Sequence, residues 1–230
     1  MPQSMRSGLF LAFEGGEGAG KTTQAKLLKE RLQGLGKEVV LTREPGGTAL
    51  GEHLREIILR PTERERSSTD ARSSLAPAAE LFLFLAARAQ LVSEVIRPGL
   101  EKGAIVVCDR YSASTIAYQG YGRGLDVEAV RRACDLAAGG LKPDLSILLD
   151  IPVSDGLNRK AVEGEAHDAI GGESRDFHER VRQGFQELVA AEPERWLVVD
   201  AALSPEEAAR TIWPRVVELL DQDQSDSARD

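Results

Sequence analysis

The chain has 230 residues, of which 42% are hydrophobic and 29% are charged, and its formal net charge is −8. This length and composition are typical of a globular protein with a substantial buried core. The acidic balance argues against a general binder of nucleic acid or of membrane surfaces, although it leaves room for a local anion site.

Strand-like apolar runs alternate with helix-length segments along the chain. The predicted strands are 9–13, 38–42, 104–109, 145–150 and 196–200. Most of them are nearly continuous in apolar residues, as in strands covered on both faces. The predicted helices are 22–35, 48–59, 80–100, 126–138, 174–191 and 204–220. This alternation predicts an α/β fold, in which a five-stranded parallel sheet carries helices on both faces within a single domain, 1–222.

Three stretches lack this alternation. Residues 60–77 are charged and serine-rich, which predicts a surface excursion between two helices. Residues 158–176 combine mixed charge with glycine and have no apolar period, so they are predicted to be a mobile lid or a long loop. The polar segment 223–230 is predicted to be a disordered tail.

The cysteines and the apolar runs indicate the compartment. Cys108 and Cys134 lie in apolar contexts without metal-ligand spacing, so they are predicted to be reduced structural thiols. No apolar run approaches the length of a membrane span, and the segment before the first predicted strand is too short for a secretory signal. We therefore expect a cytoplasmic protein.

The segment GGEGAGKTT follows the first predicted strand and opens the first predicted helix. It matches G-x-x-x-x-G-K-[ST], in which glycines let backbone N–H groups converge on a phosphate chain at a helix N-terminus. In such a loop the lysine reaches the β- and γ-phosphates, and the hydroxyl after it ligates Mg²⁺. A flexible glycine turn is the alternative interpretation. The predicted nucleotide-binding residues are Gly15, Gly16, Glu17, Gly18, Ala19, Gly20, Lys21, Thr22 and Thr23.

Two further strand ends carry charged residues. Asp109 and Arg110 end the third predicted strand, where ligands bind in open α/β sheets. The carboxylate can hold Mg²⁺ through water and the guanidinium can clamp a phosphate, whereas a surface ion pair is the alternative. In TREPGGT, the turn formed by proline and glycine can aim Arg43 back over the strand ends.

The helical segment ELFLFLAARAQL places Phe84 and Arg88 one turn apart, on the same face. An aromatic ring and a guanidinium so placed could stack on a base and bond to its edge. Since residues 81 to 85 are all apolar, a core position is the alternative for Phe84.

Five motifs, FEGGEGAGKTT, TREPGGT, AARAQ, DRY and STIAYQGYGRG, follow one another in this order. In this respect the chain resembles bacterial thymidylate kinases, over about residues 9–160 and more loosely to the final helix. The resemblance implies a P-loop kinase fold with a mobile lid. It also implies phosphorylation of dTMP to dTDP by ATP and Mg²⁺, in dTTP biosynthesis, by a homodimer that binds neither nucleic acid nor membranes.

The resemblance also implies roles in binding the nucleoside. Phe84 would stack on the thymine, and Arg88 and Gln119 would lie near the base edge. Glu17 would face the sugar 3′-hydroxyl, and Tyr118 would press against the deoxyribose, disfavouring a 2′-hydroxyl.

For the reacting groups, the resemblance places Arg43 and Arg110 at the dTMP phosphate and Asp109 beside the Mg²⁺-bound centre. Transfer between two polyanions needs alignment and neutralisation of charge more than covalent chemistry. Lys21, Mg²⁺ on Thr22 and the two arginines would supply that neutralisation.

The lid departs from the family pattern. Bacterial members that lack arginine in the phosphate loop carry lid arginines in a stretch such as R-G-x-x-D-R-I-E, whereas this chain has EGEAHDAIGG. Glu163 and Ala169 stand where arginines are expected. Arg159 and Lys160 lie just upstream, and Arg159 is predicted to be the catalytic lid cation. Solvated cations at a helix end are the alternative.

Two other functions stay open on the sequence alone. One is another nucleotide or deoxynucleoside kinase, which an assay across the nucleoside monophosphates would separate from a dTMP kinase. The other is a non-catalytic ATP-binding switch, which only the altered lid favours.

Overall fold

A five-stranded parallel sheet forms the centre of the molecule. The computed structural model describes residues 8–59, 75–162 and 170–227. Its strands are β1 (Phe10–Gly15), β2 (Val39–Arg43), β3 (Ile105–Asp109), β4 (Leu145–Asp150) and β5 (Trp196–Asp200), in the order β2-β3-β1-β4-β5. All five predicted strands are therefore confirmed, as is the parallel α/β architecture.

The register of the sheet brings three predicted motifs together. Phe13 in β1 is paired with Asp109 in β3, and Asp109 is paired with Arg43 in β2. Parallel strands end at the same edge of a sheet, so the glycine-rich loop after β1 lies beside the residues that follow β3 and β2. The site is thus built on a rigid edge of three hydrogen-bonded strands.

Helices cover both faces of this sheet. They are α1 (Lys21–Gly34), α2 (Ala49–Leu59), α3 (Pro77–Leu91), α4 (Arg97–Glu101), α5 (Ser112–Thr115), α6 (Val127–Ala138), α7 (Val153–Val162), α8 (Arg175–Ala191) and α9 (Pro205–Ser227). Alternate β1 residues point to opposite faces. Leu11 and Phe13 pack in the cluster that contains α1 and α9, whereas Phe10 packs with Leu91 and Leu100 on the other face. Burial on both sides explains why the strands are apolar throughout.

The helix predicted over 80–100 is interrupted. The structure has α3, a π-helical turn (Val92–Ile96) and then α4. Pro98 lacks the N–H that a regular α-helix would donate to the carbonyl four residues earlier, so the α-helical pattern breaks just before it. A second π-helical turn, Ile116–Gly122, continues α5 and buries Tyr118 and Gln119. Neither this segment nor α7 was predicted as a helix, because their glycines and polar residues hide the apolar period.

Parts of three predicted segments lie outside the described residues. They are 60–74 of the surface excursion, 163–169 of the lid, with Glu163 and Ala169, and 228–230 of the tail. The final helix, α9, continues to Ser227, so helix extends beyond residue 222, where the folded domain was predicted to end. Among the described residues, no helix has both the length and the apolarity needed to cross a bilayer.

Candidate active site

The glycine-rich loop between β1 and α1 has a backbone that side chains would obstruct. Gly18 has φ +66°, and a Cβ there would lie 2.0 Å from the carbonyl oxygen of Gly156 in α7. Gly15 has φ +141°, and a Cβ there would lie 2.4 Å from the carbonyl oxygen of Leu149. The loop therefore needs glycine both for its left-handed turns and for its close packing against β4 and α7.

The start of α1 is open to a ligand. Gly20 caps the helix without a side-chain hydrogen bond, so the first N–H groups and the positive end of the helix dipole face the loop. Lys21 is buried, and its Nζ donates to the carbonyl oxygen of Gly16 at 2.6 Å. Burial, assisted by the charge of Arg110, lowers the pKa of Lys21 to about 8, although Glu17 opposes the shift. The ammonium thus stays predominantly charged at neutral pH, folded over the loop.

Thr22 and Asp109 form a pair of oxygen ligands beside the loop. The hydroxyl of Thr22 donates to Oδ2 of Asp109 across the gap between α1 and β3. In the described parts of the chain, no three His, Cys, Asp or Glu side chains cluster as a metal cage. Mg²⁺ is commonly held by one or two protein oxygens together with water and substrate phosphates. The pair therefore fits the predicted Mg²⁺ ligands.

A cleft of about 850 Å³ opens beside the loop. Lined by seven lysine and arginine side chains against four carboxylates, those of Glu17, Glu44, Glu52 and Asp109, it is locally cationic in a protein of net charge −8. This local excess of positive charge suits an anionic ligand.

Glu17 lies between two cations at the floor of the cleft. Its carboxylate accepts from Arg110 Nη2 at 2.7 Å and from the hydroxyl of Tyr118 at 2.9 Å, and Lys160 Nζ is 2.7 Å from its other oxygen. Burial raises the pKa of Glu17, but the charges of Arg110, Lys21 and Lys160 outweigh it and hold the pKa well below its usual value. Glu17 is therefore a permanent anion within this cluster.

Arg110 connects the loop to the rest of the cleft. It is a non-glycine residue with positive φ, 69°, and its Nη1 donates to the carbonyl oxygen of Gly15 at 2.8 Å. Its guanidinium also lies 5.0 Å from the ring centroid of Tyr118, within cation–π range. These contacts fix the guanidinium at the end of β3, where the sequence predicted a phosphate clamp.

Arg88 is fully buried and paired with Glu44, the residue after Arg43. Its Nη2 donates to Oε2 of Glu44 at 2.5 Å and to the hydroxyl of Thr115 at 2.7 Å, and its Nε donates to both Glu44 oxygens. Its Nη1 donates to Sγ of Cys134 at 3.4 Å. Arg88 lines the cleft, as predicted, and a buried carboxylate anchors it there.

Phe84 and Gln119 line the same cleft as Arg88. Phe84 is partly buried against the apolar cluster that contains Leu81 and Leu85, so it belongs to the core and also faces the cleft. Gln119 is buried, and its Nε2 donates to Oε1 of Glu80 at 2.8 Å. The three residues predicted to bind the base therefore all line this cleft.

Arg43 is at the rim of the cleft. Its side chain is 53% exposed, and Nη2 lies 3.0 Å from Oε2 of Glu52 in α2. The other oxygen of Glu52 accepts from the backbone N–H of Gly47. This backbone hydrogen bond and the guanidinium of Arg43 lower the pKa of Glu52. Glu52 thus connects the turn that follows β2 to Arg43, whose side chain lines the cleft.

The structure corrects the prediction for Arg159. Its Nη1 donates to the carbonyl oxygen of Ala201, after β5, and it does not line the cleft. Lys160 lies in the cleft instead, beside Glu17. Adjacent residues of an α-helix point about 100° apart, so only one of the two can face the loop. Of the two candidate cations on α7, Lys160 is therefore the one that lines the cleft.

Sequence reasoning missed Glu44, Glu52 and Thr115 as members of the site. Glu44 and Glu52 hold Arg88 and Arg43, and Thr115 accepts from Arg88. An acidic residue directly after a predicted phosphate-binding arginine was the available indication for Glu44. No local pattern distinguishes Glu52 or Thr115 from surface residues, because their partners are distant in sequence or separated by a turn.

Comparison with known proteins gives one consistent result. The family model described as Thymidylate kinase matches residues 13–212. A thymidylate kinase from Desulfovibrio desulfuricans is 52% identical over 206 residues, covering 86% of this chain and 90% of that protein. One from Roseiflexus sp. is 48% identical over 215 residues, covering 89% and 91%. The crystal structure of thymidylate kinase from Ehrlichia chaffeensis matches with a TM-score of 0.66 and 34% identity, covering 84% of this chain and 92% of that one.

Proposed function

The chain belongs to the thymidylate kinase family, and we propose that it transfers the γ-phosphoryl group of ATP to dTMP, giving ADP and dTDP for dTTP biosynthesis. One observation carries this proposal. The register of β1, β3 and β2 brings the glycine-rich loop, Arg110 and Arg43 together beside a cationic cleft. Arg88 and Gln119 line the same cleft. Such a cleft has room for a triphosphate, an acceptor phosphate and a base.

The proposed reaction is a direct transfer between two anions. A phosphate oxygen of dTMP forms a bond to the γ-phosphorus as the bond to the β–γ bridging oxygen breaks, and ADP leaves with that oxygen. The loop amides and Lys21 hold the donor, while Arg110 and Arg43 hold the acceptor phosphate. Lys160 supplies a further positive charge near the loop. Catalysis comes from alignment and electrostatic stabilisation, since the protein contributes no covalent intermediate.

Mg²⁺ is the proposed metal of this site, held by Thr22 and Asp109. Their hydroxyl and carboxylate oxygens meet beside the loop, and oxygen is the ligand that Mg²⁺ prefers. When bound, Mg²⁺ would neutralise negative charge on the donor phosphates. Glu17 is proposed to face the sugar 3′-hydroxyl with Tyr118 beside it, and the 2.9 Å hydrogen bond between them supports a shared position in the cleft.

We propose that the protein is a homodimer formed through α2 and α3. These helices pack against each other, and Leu50, Ile57 and Phe82 are exposed on them, Phe82 by 66%. Exposed apolar surface of this kind is typical of an interface. In sedimentation experiments, Phe82→Glu should dissociate the dimer. The matched control is Leu35→Glu, which changes a similarly exposed leucine at the end of α1 and should leave the dimer intact. A monomeric wild type would contradict this proposal.

The cytoplasm is the proposed location. Cys108 and Cys134 are both buried free thiols, and unpaired cysteines are typical of proteins in reducing compartments. The thiol of Cys108 has a raised pKa because it is buried, so it stays protonated and unreactive.

A coupled assay of ADP release tests the proposed function. Purified protein is supplied with ATP, Mg²⁺ and each nucleoside monophosphate in turn, and dTMP should give the highest kcat/KM. Lys21→Ala should lower the rate by about 100-fold or more, the effect of removing a donor that stabilises transferring charge. Preference for another monophosphate would indicate a different nucleotide kinase. ATP binding without any transfer would indicate the non-catalytic switch.

A further inference from the structure

Glu80, in the first turn of α3, is a buried carboxylate that contacts a residue of the proposed base pocket. It is 1% exposed. Its Oε1 accepts from Nε2 of Gln119 at 2.8 Å and from Nε of Arg123 at 3.1 Å, and its Oε2 accepts from Nη2 of Arg123 at 2.9 Å. Arg123 also pairs with Glu173. Glu80 is therefore held by a two-pronged ion pair on one side and touches Gln119 on the other.

This contact fixes the direction of the Gln119 amide. A carboxylate paired with a guanidinium is ionised and can only accept hydrogen bonds. The group of Gln119 that meets Glu80 must therefore be its NH₂, and the amide oxygen must point elsewhere. That oxygen accepts no hydrogen bond from any residue in the described ranges, and Gln119 lines the cleft. The side chain thus offers an acceptor to a ligand.

Arg88 also lines the cleft, and its side chain can only donate hydrogen bonds, whereas the free oxygen of Gln119 accepts them. A guanidinium only donates. Its Nε–H, both Nη2 hydrogens and one Nη1 hydrogen bond to Glu44, Thr115 and Cys134, which leaves one Nη1–H for a ligand. These two residues of the proposed base site therefore present one acceptor and one donor of fixed kind.

This pattern matches one class of pyrimidine. The edge of thymine or uracil carries an N3–H donor beside the O4 acceptor, whereas cytosine carries an N3 acceptor beside an N4 amino donor. We infer that Glu80 is a positioning residue that locks the Gln119 amide with its oxygen toward the base, so that thymine is accepted and cytosine is rejected. This inference rests on the proposed dTMP site and names the residue that sets its selectivity.

The test is the ratio of kcat/KM for dTMP to kcat/KM for dCMP. In Glu80→Gln, residue 80 can either donate or accept, so the Gln119 amide can turn over and suit cytosine. The ratio should fall by about tenfold or more, because leaving a buried polar group unpaired costs about 1–3 kcal/mol. The matched control is Glu173→Gln, which removes the other carboxylate paired with Arg123 but keeps the ion pair between Arg123 and Glu80. Its ratio should stay within about threefold of wild type.

A double-mutant cycle separates positioning from a purely structural role. Gln119→Met removes the amide and should also lower the ratio, and adding Glu80→Gln to it should change the ratio no further. If Glu80→Gln is recovered poorly, the double variant Glu80→Gln with Arg123→Gln removes both charges of the pair and should give the same low ratio. An unchanged ratio in Glu80→Gln, an equal fall in Glu173→Gln, or an additive effect in the Gln119→Met background would each overturn the inference.

Failure of the inference can be told apart from failure of the proposed function. Wild-type protein that does not phosphorylate dTMP would contradict the function itself. If dTMP is a substrate, calorimetric titration of wild type with dTMP and N3-methyl-dTMP tests the acceptor directly. The methylated nucleotide should bind about tenfold or more weakly, because it blocks the N–H that Gln119 accepts. Equal affinities would refute the assigned direction of the amide.

Discussion

Replacing Arg88 by methionine tests how far the buried pair of Arg88 and Glu44 supports the fold as well as the base site. The two side chains are 1% and 4% exposed. Methionine preserves much of the apolar stem but leaves the carboxylate of Glu44 without its partner. Removing one member of a buried ion pair costs about 3–5 kcal/mol of the free energy of unfolding, because the remaining charge stays desolvated. That is a large part of the roughly 5–15 kcal/mol available to a domain.

The loss of stability in Arg88→Met should depend on pH, and its direction follows from the same contacts. Burial raises the pKa of Glu44, and Arg88 opposes that shift. Without Arg88 the folded-state pKa rises further, so the folded variant binds more protons than the unfolded chain. The stability deficit of Arg88→Met should therefore be smaller at pH 5 than at pH 7.5. Urea denaturation followed by tryptophan fluorescence measures it.

A second substitution separates stability from recognition. In the double variant Arg88→Met with Glu44→Gln, neither charge of this pair is left, so about 2 kcal/mol of the lost stability should be recovered. The KM for dTMP should stay raised, since the donor toward the base is still missing. If Arg88→Met is within about 1 kcal/mol of wild type at pH 7.5, the buried-pair reasoning fails. It also fails if Glu44→Gln restores nothing.

Three further predictions follow from other parts of the site. Lys160→Ala should lower kcat about tenfold or more in the coupled assay, and Arg159→Ala by less than about threefold; the reverse order would contradict the assignment of the α7 cation. Gly18→Ala should weaken ATP binding in calorimetry far more than Gly16→Ala, since a Cβ at Gly18 meets a backbone oxygen at 2.0 Å whereas one at Gly16 meets nothing within 4 Å and that residue has no positive φ. Burial raises the pKa of Glu14 to about 7, so the folded protein holds a proton there that the unfolded chain releases. The free energy of unfolding of wild type should therefore fall by up to about 3 kcal/mol as pH rises from 5 to 7.5. Urea titrations at each pH should show that Glu14→Gln lacks this fall.

The features that could be predicted from sequence are those with a local chemical cause. The strands were found because burial on both faces demands continuous apolar runs, and the loop was found because glycine, lysine and threonine stand at fixed spacing between a strand and a helix. The π-helical turn before Pro98 was not predicted, because a proline indicates that regular α-helical hydrogen bonding breaks but not that the chain continues through a π-helical turn into α4. Helix α7 was not predicted from the sequence, because too few of its residues are buried to give an apolar period.

The remaining site residues depend on contacts between distant segments. Glu44 is 44 positions from Arg88, and Glu80 is 39 positions from Gln119. No spacing rule connects such pairs, because their proximity is set by the sheet order and by the packing of α3 against the π-helical turn Ile116–Gly122. The choice between Arg159 and Lys160 likewise depends on the rotation of α7 about its axis, which one turn of sequence does not determine.

The position of Glu17 between Arg110 and Lys160 affects how the cations of the site are arranged before a nucleotide binds. Without an anion among them, neighbouring cations would repel one another and drift apart into solvent. A resident carboxylate acts as a standing counter-ion that keeps them assembled, so an arriving nucleotide finds the positive groups already in place. The incoming phosphates then share these cations with Glu17, and part of the electrostatic attraction is spent in loosening contacts that already exist. The preassembled cations therefore bind the nucleotide less tightly than they would without Glu17. This lower affinity favours release of the product.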